Sequence, residues 1–188
     1  MARGRATKDL MARTALRLFV EKGVRETTIR DIAAAASVAE GTLYRHYASK
    51  EDLAESLFTE SYEAMAAELE AVCRDHSGLR AALGAMVELF CRAYDGDAIL
   101  FRYLLLSQHR HLKQRDPNLP SPFNVVRGAI VAAMARGEIP KRDPEIRAAM
   151  VMGIVLQPAI SKVYGRIEAD MSSLAEDLSA ACWQVLSA

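Results

Sequence analysis

Between Thr28 and Leu53 the sequence reads TIRDIAAAASVAEGTLYRHYASKEDL, and its second half gathers side chains that can meet a base edge or a phosphate. Gly41 lets a backbone come close to a duplex. Thr42 offers a hydroxyl to a phosphate or a methyl to a thymine, and Tyr44 joins an apolar ring to a hydroxyl. Arg45 and His46 donate to base edges or phosphates, while Tyr47 and Lys50 stand where the next helix begins, a natural phosphate anchor. Arg30 belongs to the same set. Thr28, opening the preceding helix, combines a hydroxyl with backbone N–H groups, which suits an anion. Glu40 has the opposite sign: a carboxylate repels phosphate, yet accepts from a cytosine amino group. Arg3, Arg5 and Lys8 form a candidate arm along the backbone or in the minor groove.

Catalytic chemistry is much less well supplied. The chain has no GxSxG, no Gly-rich phosphate loop and no carboxylate pair in a plausible cleft, so neither an enzyme nor a cofactor is expected. His109 and His111 invite a metal, but two residues apart on a helix they point about 200° apart. No nearby Cys/His cluster has zinc spacing, and no metal is expected.

The elements that must hold this chemistry read as helices throughout, with no sustained β alternation. A first helix is expected over 7–22 with Met11, Ala15, Leu18 and Phe19 inward and Gly23 as its stop. Thr28 with Asp31 fits a capping box opening a second helix, whose inward residues are Ile29, Ile32, Ala33 and Ala36. A very short third helix covers about 39–46, and Ser49 with Asp52 opens a fourth that runs to Cys73. Two helices joined by so tight a turn form a helix-turn-helix, expected over about 28–47, whose second helix enters a major groove. The bland alternative is a helical corner in which Leu43 and Tyr47 pack while Arg45 and His46 face water. Further helices are expected over 79–94, 98–113, 122–136, 144–166 and 173–186, with breaks where Gly, Pro, Asp and Asn cluster.

With 188 residues, 51% hydrophobic and 26% charged, the chain is long and apolar enough to fold. Its net charge of zero hides an asymmetry: Met1–Lys50 holds ten Lys and Arg against five Asp and Glu, and the remainder fourteen against nineteen. That pattern suggests a basic head that meets an anion and an acidic body that does not. Cys73, Cys91 and Cys182 are widely spaced and odd in number, as in a reduced cytoplasmic protein rather than a disulfide framework. MARGRATKDL has no apolar run behind its charges, so no signal peptide is expected. The nearly uncharged run Ala148–Ile160 is taken as too short to span a bilayer, and no membrane partner is expected.

The stretch ALRLFVEKGVRETTIRDIAAAASVAEGTLYRHYASKEDL resembles, nearly position by position, the N-terminal domain of the TetR/AcrR family of bacterial transcriptional regulators. The resemblance covers roughly Leu10–Leu57, and GEIPKRDPEIRAAMVMGIVLQ resembles the start of the family's eighth helix. It implies an all-α fold of about nine helices, with a three-helix head built on the helix-turn-helix and a larger helical body. It also implies a homodimer on double-stranded DNA and repression relieved by a small molecule. The head is expected over 1–50 and the ligand-binding and dimerisation body over 51–188. Two positions depart from the family pattern: Ser37 replaces the usual turn glycine, and Ala39 the usual serine cap, with Ser37 and Glu40 offering a substitute cap. A helical protein–protein interaction module without DNA binding is the rival reading.

In the body, Ala148–Ile160 is apolar around its whole circumference, which calls for burial on more than one side. A dimer seam supplies the second side, with Met150 and Ile154 from this helix and Leu174, Leu178 and Cys182 from the last. Pro158 is expected to kink the helix beside a buried Gln157. A ligand pocket lined by Gln157, Met86, Phe90, Tyr94, Phe101, His109 and Met134 is the functional reading; core filling is the bland one.

Overall fold

The computed structural model describes Ala2–Leu112 and Leu119–Ala188, with side chains from Ala6 onward, so Arg3 and Arg5 of the expected arm lie outside the described side chains. Among the described residues every regular element is helical. In order they are α1 (Ala2–Lys22), α2 (Ile29–Ala35), α3 (Glu40–Tyr44), α4 (Lys50–Asp75), α5 (Leu79–Gly96), α6 (Ala98–Leu112), α7 (Pro122–Arg136), α8 (Pro144–Val163) and α9 (Ala175–Ser187), the last preceded by a 3-10 turn, Met171–Leu174. The expected α7 is matched at both ends, and α1 starts five residues earlier than its apolar stripe suggests.

The chain forms two compact units. One contains α1, α2, α3, α4 as far as Ser61, and α6 from Ile99 onward. Its core takes Met11, Ala15, Leu18 and Phe19 from α1, Ile32 and Ala33 from α2, Leu43 from α3, and Leu53, Ala54, Leu57 and Phe58 from α4. Ile29, expected inward, is only half-buried. At Gly23, φ is +90°, a conformation that strains any residue with a Cβ, so glycine suits this end of α1. Thr27 is fully buried, and its hydroxyl donates to the Gly23 carbonyl at 2.7 Å, fixing the loop that leads to α2. From α6, the Tyr103 hydroxyl donates to the Ala54 carbonyl at 2.7 Å. The buried ring of His111 stacks on Phe58 with centroids 4.4 Å apart and bonds to the Glu55 carboxylate. Burial pushes the Tyr103 phenol far above its ordinary value, so it serves as a neutral donor.

The α2–α3 turn is a Schellman motif: the Val38 N–H reaches the Ala33 carbonyl at 2.9 Å and the Ser37 N–H reaches Ala34 at 3.1 Å. Ser37 holds φ +54°, the only positive φ of a non-glycine among the described residues. At the end of α7 the same pair of bonds is made around Gly137, where the conformation is unstrained. The substitute cap expected from Ser37 and Glu40 is not formed, and Ala39, which precedes α3, supplies no side-chain cap.

The second unit contains Tyr62–Ala98 and the described chain beyond α6. Leu79, Ala82, Leu83, Met86, Val87, Cys91 and Tyr94 make one buried face of α5, which packs on α9; α8 lies against both α7 and α9. Two carboxylates stitch the helix ends. Glu138 accepts from the Leu79 N–H at 2.6 Å, and Asp95 accepts from Met171 and Ser172 at 3.0 and 2.8 Å. Burial pulls the Asp95 carboxyl up, but the bonds from Ser172 and Met171 outweigh it and leave the group below its ordinary range. All three cysteines are free, and burial pushes the Cys91 and Cys182 thiols up to about 11.

Two expectations for α8 need correction. The run Ala148–Ile160 sits within a helix of 20 residues that is long and apolar enough to cross a bilayer by length and composition. In this fold the helix buries Ala148, Val151, Val155 and Ala159 in its own unit. Gln157, expected to be buried, is exposed, because it projects from the side of α8 opposite that face.

Replacing Ser37 by Gly removes the cost of a left-handed side chain, so the variant should be about 1 kcal/mol more stable. Urea denaturation of the two proteins checks this.

Candidate nucleic-acid interface

The geometry of the helix-turn-helix follows from how each end is fixed. At the start of α2, the Thr28 hydroxyl accepts from the Asp31 N–H at 3.1 Å, and the Asp31 carboxylate accepts from the Thr28 N–H at 2.9 Å. This is the reciprocal capping box the spacing predicts. The Thr28 backbone and side-chain bonds hold the Asp31 carboxyl below its ordinary value of 3.8. The Thr28 backbone N–H, expected at an anion, thus donates to the carboxylate of the chain's own Asp31.

At the start of α4, the Ser49 hydroxyl accepts from the Asp52 N–H at 3.0 Å, and the Asp52 carboxylate accepts from the Ala48 N–H at 2.8 Å. The Lys50 ammonium donates to the carbonyls of Arg25 and Thr27 at 2.6 and 2.8 Å, and lies 3.9 Å from Glu51. Its side chain is only 20% exposed. Lys50 therefore ties the start of α4 to the loop before α2, a brace that its place in the sequence does not reveal.

Between these ends, α3 divides cleanly. Leu43 is fully buried and Tyr47, just beyond the helix, is 5% exposed. Lys8 sits over the Tyr47 ring, 5.8 Å from its centroid, and pairs with Glu60 at 3.4 Å. Tyr47, expected at a phosphate, thus packs beneath α3, and burial raises its phenol above the ordinary value. On the other side Glu40, Gly41, Tyr44, Arg45 and His46 are exposed and Thr42 is half-buried. Tyr44 leaves 57% of its surface in solvent. The Arg45 guanidinium donates to the Thr42 hydroxyl at 3.2 Å, which orients both along the same ridge. Arg30 is exposed on α2. The structure thus brings together a short exposed ridge of donors, an aromatic ring and one carboxylate. Sequence reasoning missed Thr27, whose only sign in the chain is a second threonine next to the cap.

The expected pocket residues are less coherent. Met86 and Tyr94 on α5 and Met134 on α7 are buried in the second unit, Phe90 is half-buried there, and Gln157 is exposed. Phe101, buried, and His109, exposed, belong to the first unit with α6. A depression of about 440 Å³ in the second unit is lined instead by residues including Cys73, His76, Ala82, Ala129, Arg136 and Glu138. Of the expected seam residues, Met150 is 48% exposed and Ile154 and Leu174 are half-buried. Leu178 and Cys182 are buried in the core of the chain itself. Ile146, at 59% exposed, extends the apolar surface of α8 one turn before Met150.

Comparison with known proteins agrees with this geometry. Residues 12–57 match the profile of the family described as "Bacterial regulatory proteins, tetR family". The HTH-type transcriptional regulator TcmR of Streptomyces glaucescens is 29% identical over 167 residues, covering 87% of this chain and 71% of TcmR. The HTH-type transcriptional repressor KstR2 of Mycobacterium tuberculosis is 50% identical over 40 residues, 21% of this chain and 20% of that protein. The transcriptional regulator FadR of Bacillus subtilis, solved in complex with stearoyl-CoA, shares the fold with a TM-score of 0.77 at 21% identity, covering 92% of this chain and 96% of FadR.

If Lys50 is a brace, Lys50→Ala should lower stability by about 1–3 kcal/mol in denaturant, because two carbonyls lose a charged donor. An unchanged midpoint would return the residue to the role of a phosphate anchor.

Proposed function

We propose that this chain, whose residues 12–57 match the tetR family of bacterial regulatory proteins, is a homodimeric repressor of that family whose heads bind a palindromic operator and are released by a small molecule. The observation that carries the reading is the ridge of α3. Tyr44 at the end of this five-residue helix, and Arg45 and His46 in the turn that follows it, are exposed, while Leu43 anchors the helix in the core. A tyrosine with 57% of its surface in solvent leaves much apolar area uncovered by the fold, whereas in a major groove its ring meets a thymine methyl or a phosphate. Residues 1–50 are the DNA-binding head in this reading, with Thr28, Arg30 and Thr42 flanking the ridge, and 51–188 the effector and dimer body.

The dimer is supported by α8. Ile146, Met150, Gly153, Ile154 and Gln157 recur at helical spacing on the side of α8 away from its own core. A second copy would cover these residues, while Leu178 and Cys182 support the seam from beneath. Pairing sets two α3 helices about one DNA turn apart, roughly 34 Å, which is what a palindrome requires. The effector is proposed to be largely apolar, held in the second unit near Met86, Phe90, Tyr94 and Met134; the stearoyl-CoA bound by the Bacillus relative is one such chemistry. Helix α4 has residues in both units, so a ligand that favours one placement of α4 would change operator affinity by its differential binding, typically about 1–3 kcal/mol.

Selection of genomic fragments by the purified protein tests the reading. It should yield palindromic sites whose affinity falls steeply with salt as Arg45 and its neighbours displace counterions. Tyr44→Ala should abolish selection with little change in the denaturation midpoint, since most of the residue lies in solvent. A head that docks on protein instead would leave DNA unselected. Met150→Glu should convert the dimer to monomer in analytical ultracentrifugation and weaken operator binding with it, because a buried charge would face its own copy.

A further inference from the structure

The exposed ridge carries one group of the wrong sign for a polyanion. Glu40 opens α3, is exposed, and its carboxylate has no ion pair or hydrogen bond with any described side chain. The cations nearby are engaged elsewhere: Arg45 donates to Thr42, and Lys50 to the Arg25 and Thr27 carbonyls. The head carries ten Lys and Arg against five Asp and Glu, and an unneutralised carboxylate on this ridge weakens DNA binding unless it gains a specific contact.

The residue beside it points the same way. A Cβ on Gly41 would meet nothing within 4 Å, so the free fold does not require a glycine there. A helical glycine costs about 1 kcal/mol relative to alanine. The bare backbone keeps the space next to Glu40 clear for an approaching duplex.

Major-groove edges offer a carboxylate only two kinds of donor, the N4 amino group of cytosine and the N6 amino group of adenine. Adenine presents its amino group beside the N7 acceptor, which a carboxylate cannot satisfy and which repels it. Guanine and thymine present acceptors at the corresponding edge. We propose that Glu40 is a specificity-determining residue that accepts a hydrogen bond from a cytosine N4 amino group, so that each operator half-site carries a C·G pair beneath the start of α3. The inference rests on the DNA-binding reading above. A carboxylate at this position also favours the positive end of the helix dipole, but that role confers no base preference.

The test is selection of half-sites from random duplex by the full-length protein, by Glu40→Gln and by Glu40→Ala. The wild-type chain should enrich cytosine at one position, disfavouring other bases there about tenfold or more. Glu40→Ala should lose the preference at that position alone and keep the rest of the site. Glu40→Gln should move it towards adenine, because the amide accepts from N6 and donates to N7. If alanine destabilises α3, the near-isosteric glutamine variant decides by itself. Identical base preferences in all three proteins would overturn the assignment and leave Glu40 a helix-start residue. A wild-type chain that enriches no sequence at all would overturn the DNA-binding reading and this inference with it.

Discussion

A five-residue helix does not hold together in water, where isolated helices shorter than about 12–15 residues are marginal. What keeps α3 in place is burial of Leu43, which is fully excluded from solvent, with Tyr47 packed just after it. Every property of the exposed ridge depends on that anchoring. Were Leu43 to lose its seat, Tyr44, Arg45 and His46 would still be present but would no longer be held in a fixed arrangement. The shortness of α3 is compatible with its proposed role, since only the first turns of a recognition helix meet base edges. Stability for the reading element is therefore supplied by its neighbours and not by its own hydrogen bonds.

The same economy appears in the polar groups around it. Lys8 spends its charge on the Tyr47 ring and Glu60, Lys50 on two loop carbonyls, and the Thr28 N–H on Asp31. These groups look from the sequence like partners for phosphate, yet in the fold they define the frame. A lysine ammonium has three donors, and two of those on Lys50 already satisfy backbone oxygens that the loop leaves without helical partners. The groups left exposed on α3 are consequently few, and one of them, Glu40, is negative.

In the second unit, α5, α7, α8 and α9 bury one face each, and carboxylates of Glu138 and Asp95 finish helix ends across long sequence distances. Helix α8 is apolar on both its sides but covers only one of them within its own chain, which is the physical basis for proposing a partner copy there. The thiols of Cys91 and Cys182 are kept protonated by burial and act as small apolar groups.

What the sequence by itself determined is whatever depends on local spacing. Thr28 and Asp31 lie three apart and form their box, Gly23 stops α1, and the apolar period marks each helix, α7 to the residue. Only the tertiary structure decided which polar groups remain available, because that depends on partners distant in the chain: Lys50 meets residues 23 and 25 positions earlier, and Tyr103 meets Ala54 across 49. For the same reason spacing does not tell that Tyr103 and His111 bind α6 to α4 within the first unit. An all-apolar run hides which arc of a helix faces its own core, so the sequence makes Gln157 look buried, whereas the chain by itself leaves that arc in water.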